Sequence, residues 1–437
     1  MRYQIYRILF IIFLFAEVLL LTGQRMRYLG YRENAIVIIL MGAGLGVFAL
    51  LASFQSVPTN EKNGGIPWEN RILKIATGIG ILLSLFHFGR QLSNQPVNVH
   101  VSDILPTIQT MNQRLLDGQY PYALIQDFGY DLSPTYLPLM WMPFLPATAL
   151  HLDERWIAWM IWMLASILLI RRVHQSNFSI EVKWLLTTLP FFYFILFGET
   201  TVAIYASTVE IMIAGFYMLF ALQLDHIRSY FTGNSLKKGA VLGFFIALCL
   251  LSRYSFLLWL PFCFLVVWSE NKKLAWYTAG WVSVWVLALF VLPFLSQDPM
   301  VYFNGLKHYS SAALAIWSQT VNVSPLNDGI GIAGIFRENM GGEMADRLAA
   351  LQKTQMILSL VVVGICALIW WRKRSQIRHL PLYLLGSLKL YFAIFYGFIQ
   401  TPYAYLMLTP SFLSLVMLMT FYRTPENEVS KDDPTAA

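Results

Sequence analysis

Long apolar runs, broken by short polar or basic stretches, dominate the chain. A membrane-crossing helix needs about 20 mostly apolar residues. Runs of this kind predict spans over 4–22, 36–54, 72–91, 156–170, 184–198 and 204–224. Further spans are predicted over 239–252, 255–269, 274–296, 355–371, 380–397 and 403–421. The fold class that follows is an all-α polytopic membrane protein of about 12 transmembrane helices. The whole of 1–437 reads as one integral membrane domain. The first run follows Arg2 and Arg7 with no small-residue cleavage site behind it, which predicts a retained signal anchor.

Segment 136–149 is apolar but short, and Pro138, Pro143 and Pro146 interrupt it. Proline removes helix hydrogen bonds, and lipid offers the freed carbonyls no replacement partner. The segment is therefore expected to be re-entrant or interfacial. Leaving it uncounted puts Arg171-Arg172, Lys237-Lys238, Lys272-Lys273 and Arg372-Lys373-Arg374 on one side. The positive-inside rule makes that side cytoplasmic, with both termini there and a short polar tail over 423–437. Arg25, Arg27 and Arg32 then fall outside, against the rule. Two long outer loops remain, 92–155 and 297–354, so recognition or chemistry is expected on the outer face of a cytoplasmic (inner) membrane.

Composition removes other classes. Of 437 residues, 57% are hydrophobic and 13% charged, about half the charge of a soluble domain. The net charge of +7 comes without a basic block or nucleic-acid motif, so it is assigned to cytoplasmic loops and no nucleic acid is expected as a partner. Cys249, Cys263 and Cys366 lie in apolar runs and read as small core hydrophobes. Gly42-Ala43-Gly44-Leu45-Gly46 lies inside an apolar helix and reads as a close helix contact, not a phosphate loop. No stretch has room for a nucleotide-binding domain.

The first outer loop carries the densest chemistry. Ile104, Ile108, Met111 and Leu115 recur at helical spacing, opposite Gln109, Asn112 and Gln113, which predicts an amphipathic surface helix over 103–117. Gly118 ends it. Asp103 opens it at the outer boundary. Two roles compete there: a helix cap, shared with Ser102, or a general base for a hydroxyl. Asp127 and Asp131, flanking Phe128-Gly129-Tyr130, read as turn residues or acceptor contacts.

An acidic residue after an early span, the surface helix, then Gly118, Pro121, Tyr122, Phe128, Tyr130, Tyr136, Pro138, Trp141 and Pro143 form an ordered set. Over about residues 70–270, this layout resembles the polyprenol-phosphate-dependent glycosyltransferases of the GT-C superfamily. It is similar to GPI mannosyltransferase I and to bacterial polyprenol-phosphate mannosyltransferases. The resemblance implies Asp103 as catalytic base and mannose as the family-level sugar. The eukaryotic relatives often pair two acids here; position 101 is Val, so no metal site and no cofactor are assigned.

Ionisable residues inside spans are costly and are functional hypotheses by default. Glu17, His87, Glu210 and Lys389 are of this kind. Glu210 and Lys389 are expected either to pair with each other or to share an aqueous cavity facing an anionic donor. Arg253 separates two half-length apolar runs, where it either snorkels or binds a lipid phosphate bidentately. Lys307 and His308 border an aromatic stretch of the second loop and are further substrate-binding candidates, with Tyr130 and Tyr136.

The leading reading is a glycosyltransferase moving sugar from a polyprenyl-phosphate donor to a glycan, lipid or protein acceptor hydroxyl, with inversion. The alternatives are a secondary transporter and a non-catalytic envelope assembly protein. No internal repeat favours the transporter.

Overall fold

A computed structural model describes residues 1–22, 31–56, 67–200, 204–320 and 330–423. Arg25, Arg27 and the tail from 424 onward lie outside the described residues. The described residues are helical apart from connecting loops, with one isolated antiparallel bridge, Ile125 to Leu132.

In chain order the first helices are α1 (Arg2–Thr22), α2 (Tyr31–Ala52), α3 (Pro67–Asn94) and α4 (Ile104–Leu116). After the short α5 (Pro138–Trp141) and α6 (Leu145–Ala149) come α7 (Arg155–Gln175) and α8 (Ile180–Thr200). The short α9 (Ile204–Ser207) leads into α10 (Glu210–Asp225), the one-turn α11 (Ile227–Tyr230) and α12 (Ser235–Leu250). Next are α13 (Leu260–Glu270) and α14 (Lys272–Val286), the latter continuing as a π-helix through Leu295. The last are α15 (Val301–Ser318), α16 (Ala333–Asn339), α17 (Met344–Lys373), α18 (Leu380–Gly397) and α19 (Leu408–Tyr422).

Among the described residues, nine helices are long and apolar enough to cross a membrane, so the chain is a multi-pass membrane protein. The expected dozen differs at three places. Spans 204–224, 239–252 and 255–269 are present as α10, α12 and α13, of 16, 16 and 11 residues. Each is short because the chain leaves helical geometry around Thr208 and Arg253, where the backbone turns to line a cavity. Irregular backbone at such depth is tolerated where protein or a water-filled cavity satisfies it.

The core is helix on helix. Nearly every side chain of α10 is buried, as are most of α18 and α19, whereas α1, α3, α14 and α17 keep broad apolar faces exposed. Those exposed faces suit contact with lipid. The glycine run of α2 lies against α18 as expected: a Cβ on Gly46 would sit 2.7 Å from the Leu390 backbone nitrogen. All three cysteines are free and buried.

One end of the bundle gathers the basic clusters. Asp225, at the end of α10, pairs with Arg423 at 2.5 Å and Arg172 at 3.8 Å. Tyr3 donates to the Phe421 carbonyl, so both ends of the described chain meet here. Arg228 donates to the Arg378 carbonyl, and the indole of Trp370 to Ser269. Arg32 is at the other end, paired at 2.5 Å with Glu338 of α16 in the second long loop.

Candidate functional site

The end of the bundle opposite Asp225 holds a cavity of about 860 Å³. Its wall includes Asp103, Tyr130, Tyr136, Arg253, His308 and Tyr309. Both long loops and the non-helical ends of α9, α12 and α18 therefore contribute.

Asp103 reaches the cavity because it is not used as a cap. Its backbone carbonyl accepts the Thr107 amide, starting α4, but its carboxylate makes no capping bond. Ser102 Oγ instead accepts the Ile104 amide at 3.4 Å. The Asp103 carboxylate accepts the Tyr130 hydroxyl at 3.0 Å. Partial burial, the Asp103 charge and that hydrogen bond push the Tyr130 phenol up to about 12. Tyr130 is carried by a turn closed by the Ile125–Leu132 bridge, with Gly129 at φ +81°. Only glycine adopts that conformation readily.

The helix carrying Asp103 is clamped from beneath. Ile104, Ile108 and Met111 are buried as their spacing predicts. Asn112, expected on the polar side, is also fully buried, and α4 packs against both α5 and α6. Beyond Gly118, at φ +70°, Arg114 donates to the Ala123 and Leu124 carbonyls and pins the next loop. Tyr122, Tyr136 and Trp141 then form one hydrogen-bonded unit. The Tyr122 hydroxyl donates to the Tyr136 carbonyl at 2.8 Å and receives the Trp141 indole N–H at 3.2 Å. The proline-broken segment 136–149 folds as α5, a 3-10 turn and α6, not as one helix. Its Leu139 amide donates to the Leu251 carbonyl just before Arg253, which ties the first loop to the cation.

Arg253 forms an ion pair with Glu210, the first residue of α10. Its side chain keeps 16% exposure, on the cavity side. Tyr136 and Tyr309 each lie close enough to feel both the Asp103 and the Arg253 charge. Both phenols are pushed upward, chiefly by burial. Asp103 and Arg253 therefore face a shared aromatic wall.

The expected pairing of Glu210 with Lys389 does not form. Lys389 Nζ lies 2.8 Å from both oxygens of Glu17 and 3.0 Å from the Pro410 carbonyl. It is fully buried and does not line the cavity. Lys307 is exposed and also lies off the cavity wall, while its neighbour His308 is on it. Asp131 lines the cavity and accepts from Gln126; Asp127 is exposed away from it. His87 hydrogen-bonds Gln91, which donates to the Gly198 carbonyl.

Sequence reading missed Tyr309, Thr401, Tyr403 and Tyr405, all on the cavity wall. Tyr403 and Tyr405 stack at 5.3 Å between centroids. The proline-flanked aromatic cluster at 402–405 was the available signal. Among the described residues, no group of three or more His, Cys, Asp and Glu side chains is gathered as a metal site. No family model, curated protein or solved structure matches the chain.

Proposed function

We propose that the chain is a GT-C-type glycosyltransferase that takes a sugar, mannose by resemblance, from a polyprenyl-phosphate donor. The observation that carries this reading is the cavity wall shared by an uncapped carboxylate, Asp103, and a cation that keeps part of its side-chain surface there, Arg253. Asp103 takes the proton of an acceptor hydroxyl as its oxygen attacks the anomeric carbon. The bond from that carbon to the phosphate oxygen breaks, and the electron pair leaves with the lipid phosphate. Arg253, held in place by Glu210, meets the departing charge. A single displacement inverts the anomeric centre.

In this reading α10, α12 and α13 complete their crossings as shortened helices, which makes 12 spans with α4 lying on the membrane surface. The basic clusters at the Asp225 end support a cytoplasmic position for that end and both termini, in a cell with an inner membrane. The cavity then opens on the outer face, where lipid-linked sugars are accessible.

The test pairs two variants. Asp103→Asn is expected to cut transfer by about 10²- to 10⁴-fold while native mass spectrometry still detects bound polyprenyl-phosphate sugar. Arg253→Ala is expected to weaken that binding. Unaltered turnover in Asp103→Asn sinks the mechanism. Directional flux of substrate into proteoliposomes without glycosyl transfer makes the chain a transporter, and dispensability of both residues makes it a scaffold.

A further inference from the structure

Two smaller depressions continue from the cavity along α4. The first, about 300 Å³, shares Val101, Ser102 and Ser207 with the cavity wall. The second, about 680 Å³, shares Val97 with the first and runs past Gln109, Gln113 and Asp117. Together they follow α4 from Asp103 to its far end. At 13 residues that helix is about 20 Å long, so the trough fits a chain of linked units better than a single small molecule.

The far depression is polar, yet its charges are already engaged within the protein. The Arg114 guanidinium is tied to two carbonyls. Asp153 is held by Arg155, and Asp117 accepts from Gln113. Glu154, 6% exposed, accepts from Gln109 at 3.0 Å and Thr148 at 3.2 Å, forming a fixed floor. Three carboxylates line this depression against one guanidinium already tied to carbonyls, which disfavours an anionic ligand, while Asp117 and Glu154, bonded only to neutral groups, keep acceptor sites for hydroxyl donors. What remains on the rim are Thr110, Gln119, His151 and the unused hydrogen-bonding capacity of the Gln113 amide, beside the apolar Val97 and Leu152. Neutral, hydroxyl-rich ligands match such a surface, since each hydroxyl both donates and accepts.

We infer that this trough binds the acceptor, and that the acceptor is a neutral oligosaccharide chain whose terminal hydroxyl reaches Asp103. The inference rests on the transferase reading for its direction, but the binding surface can be tested without turnover.

The probes are neutral tetrasaccharides (mannotetraose, maltotetraose and cellotetraose) with the matching monosaccharides, read by saturation-transfer NMR on the full-length chain. At least one tetrasaccharide is expected to bind about tenfold more tightly than its monosaccharide. The triple variant Thr110→Val, Gln113→Ala, Gln119→Ala is expected to lose about tenfold in that binding while retaining polyprenyl-phosphate sugar binding. The inference is overturned if no tetrasaccharide binds, if the variant binds all of them as well as wild type, or if a neutral Ser/Thr-rich peptide binds there instead. Donor binding reports separately on the transferase reading: its loss in wild type removes that reading even if oligosaccharide still binds.

Discussion

Lys389 and Arg253 each hold a buried carboxylate, Glu17 for the lysine and Glu210 for the arginine, but the two pairs are finished differently. An ammonium has three donors. Lys389 has three oxygen partners, both oxygens of Glu17 and the Pro410 carbonyl, and it is fully buried. A guanidinium has five N–H donors, more than one carboxylate can take. Arg253 keeps part of its surface on the cavity, although its Nε is itself buried. The first pair is closed and joins α1, α18 and α19; the second is open toward a ligand. A charge inside a membrane protein is thus better classed by the surface it keeps on a cavity than by the carboxylate it pairs with.

The largest expected effect falls on the closed pair. Lys389→Met leaves Glu17 buried without its cation and is predicted to cost about 3–5 kcal/mol of stability. Thermal unfolding of the detergent-solubilised protein measures this. The double variant Glu17→Met, Lys389→Met is predicted to recover most of the loss, with donor binding kept. Loss of donor binding in a stably folded double variant would erase the distinction between the pairs.

Next comes the open pair. Arg253→Lys preserves a cation for Glu210 but loses the planar fork that grips a phosphate bidentately. Donor binding is predicted to fall about 10- to 100-fold, with a much smaller change in unfolding temperature than Lys389→Met produces. Equal stability losses in the two variants would mean that Arg253 is also a closed structural contact.

A smaller effect is expected at the helix contact beside the closed pair. A Cβ on Gly46 would lie 2.7 Å from the Leu390 backbone nitrogen and 2.8 Å from the Gly386 carbonyl oxygen. Backbone cannot yield as a side-chain tip can, so Gly46→Ala is predicted to destabilise by about 1–3 kcal/mol. Unfolding midpoints would show it, and a neutral outcome would mean that α2 and α18 separate easily.

Much of this architecture was legible in the chain because it is written locally. Apolar run length marks the long spans, and the spacing of Ile104, Ile108 and Met111 marks α4. The prolines of 136–149 forecast its broken helices. Pairing inside the bundle was not legible. Glu17 and Lys389 are 372 residues apart, and side-chain type alone matched Lys389 equally well with Glu210. Asn112 shows the same limit from another side: helical periodicity gives a residue's face but not what packs over it. Asp103 was legible as a boundary carboxylate, but only geometry separates it from a cap, because Ser102 one position earlier accepts the helix amide instead.

The smallest effect tests whether Asp103 belongs with the open site. Tyr130, 48% exposed, donates to the Asp103 carboxylate at 3.0 Å, the position that an acceptor hydroxyl would take in the proposed transfer. Its phenol is pushed up to about 12, so the neutral, donating form persists well above neutrality. A raised phenol value means that the proton stays on as pH rises, and the hydrogen bond is lost only when pH passes that value. Tyr130→Phe is therefore predicted to change transfer by only about 2- to 10-fold, by a constant factor from about pH 6 to about pH 10. The direction separates two roles. A faster variant means that Tyr130 occupies the acceptor's place and is displaced on binding, whereas a slower one means that it orients the carboxylate. A pH–rate profile in which the substitution removes an alkaline limb between about pH 8 and about pH 10 would show the phenol ionising there, and would break the hydrogen-bond account of how Asp103 is held.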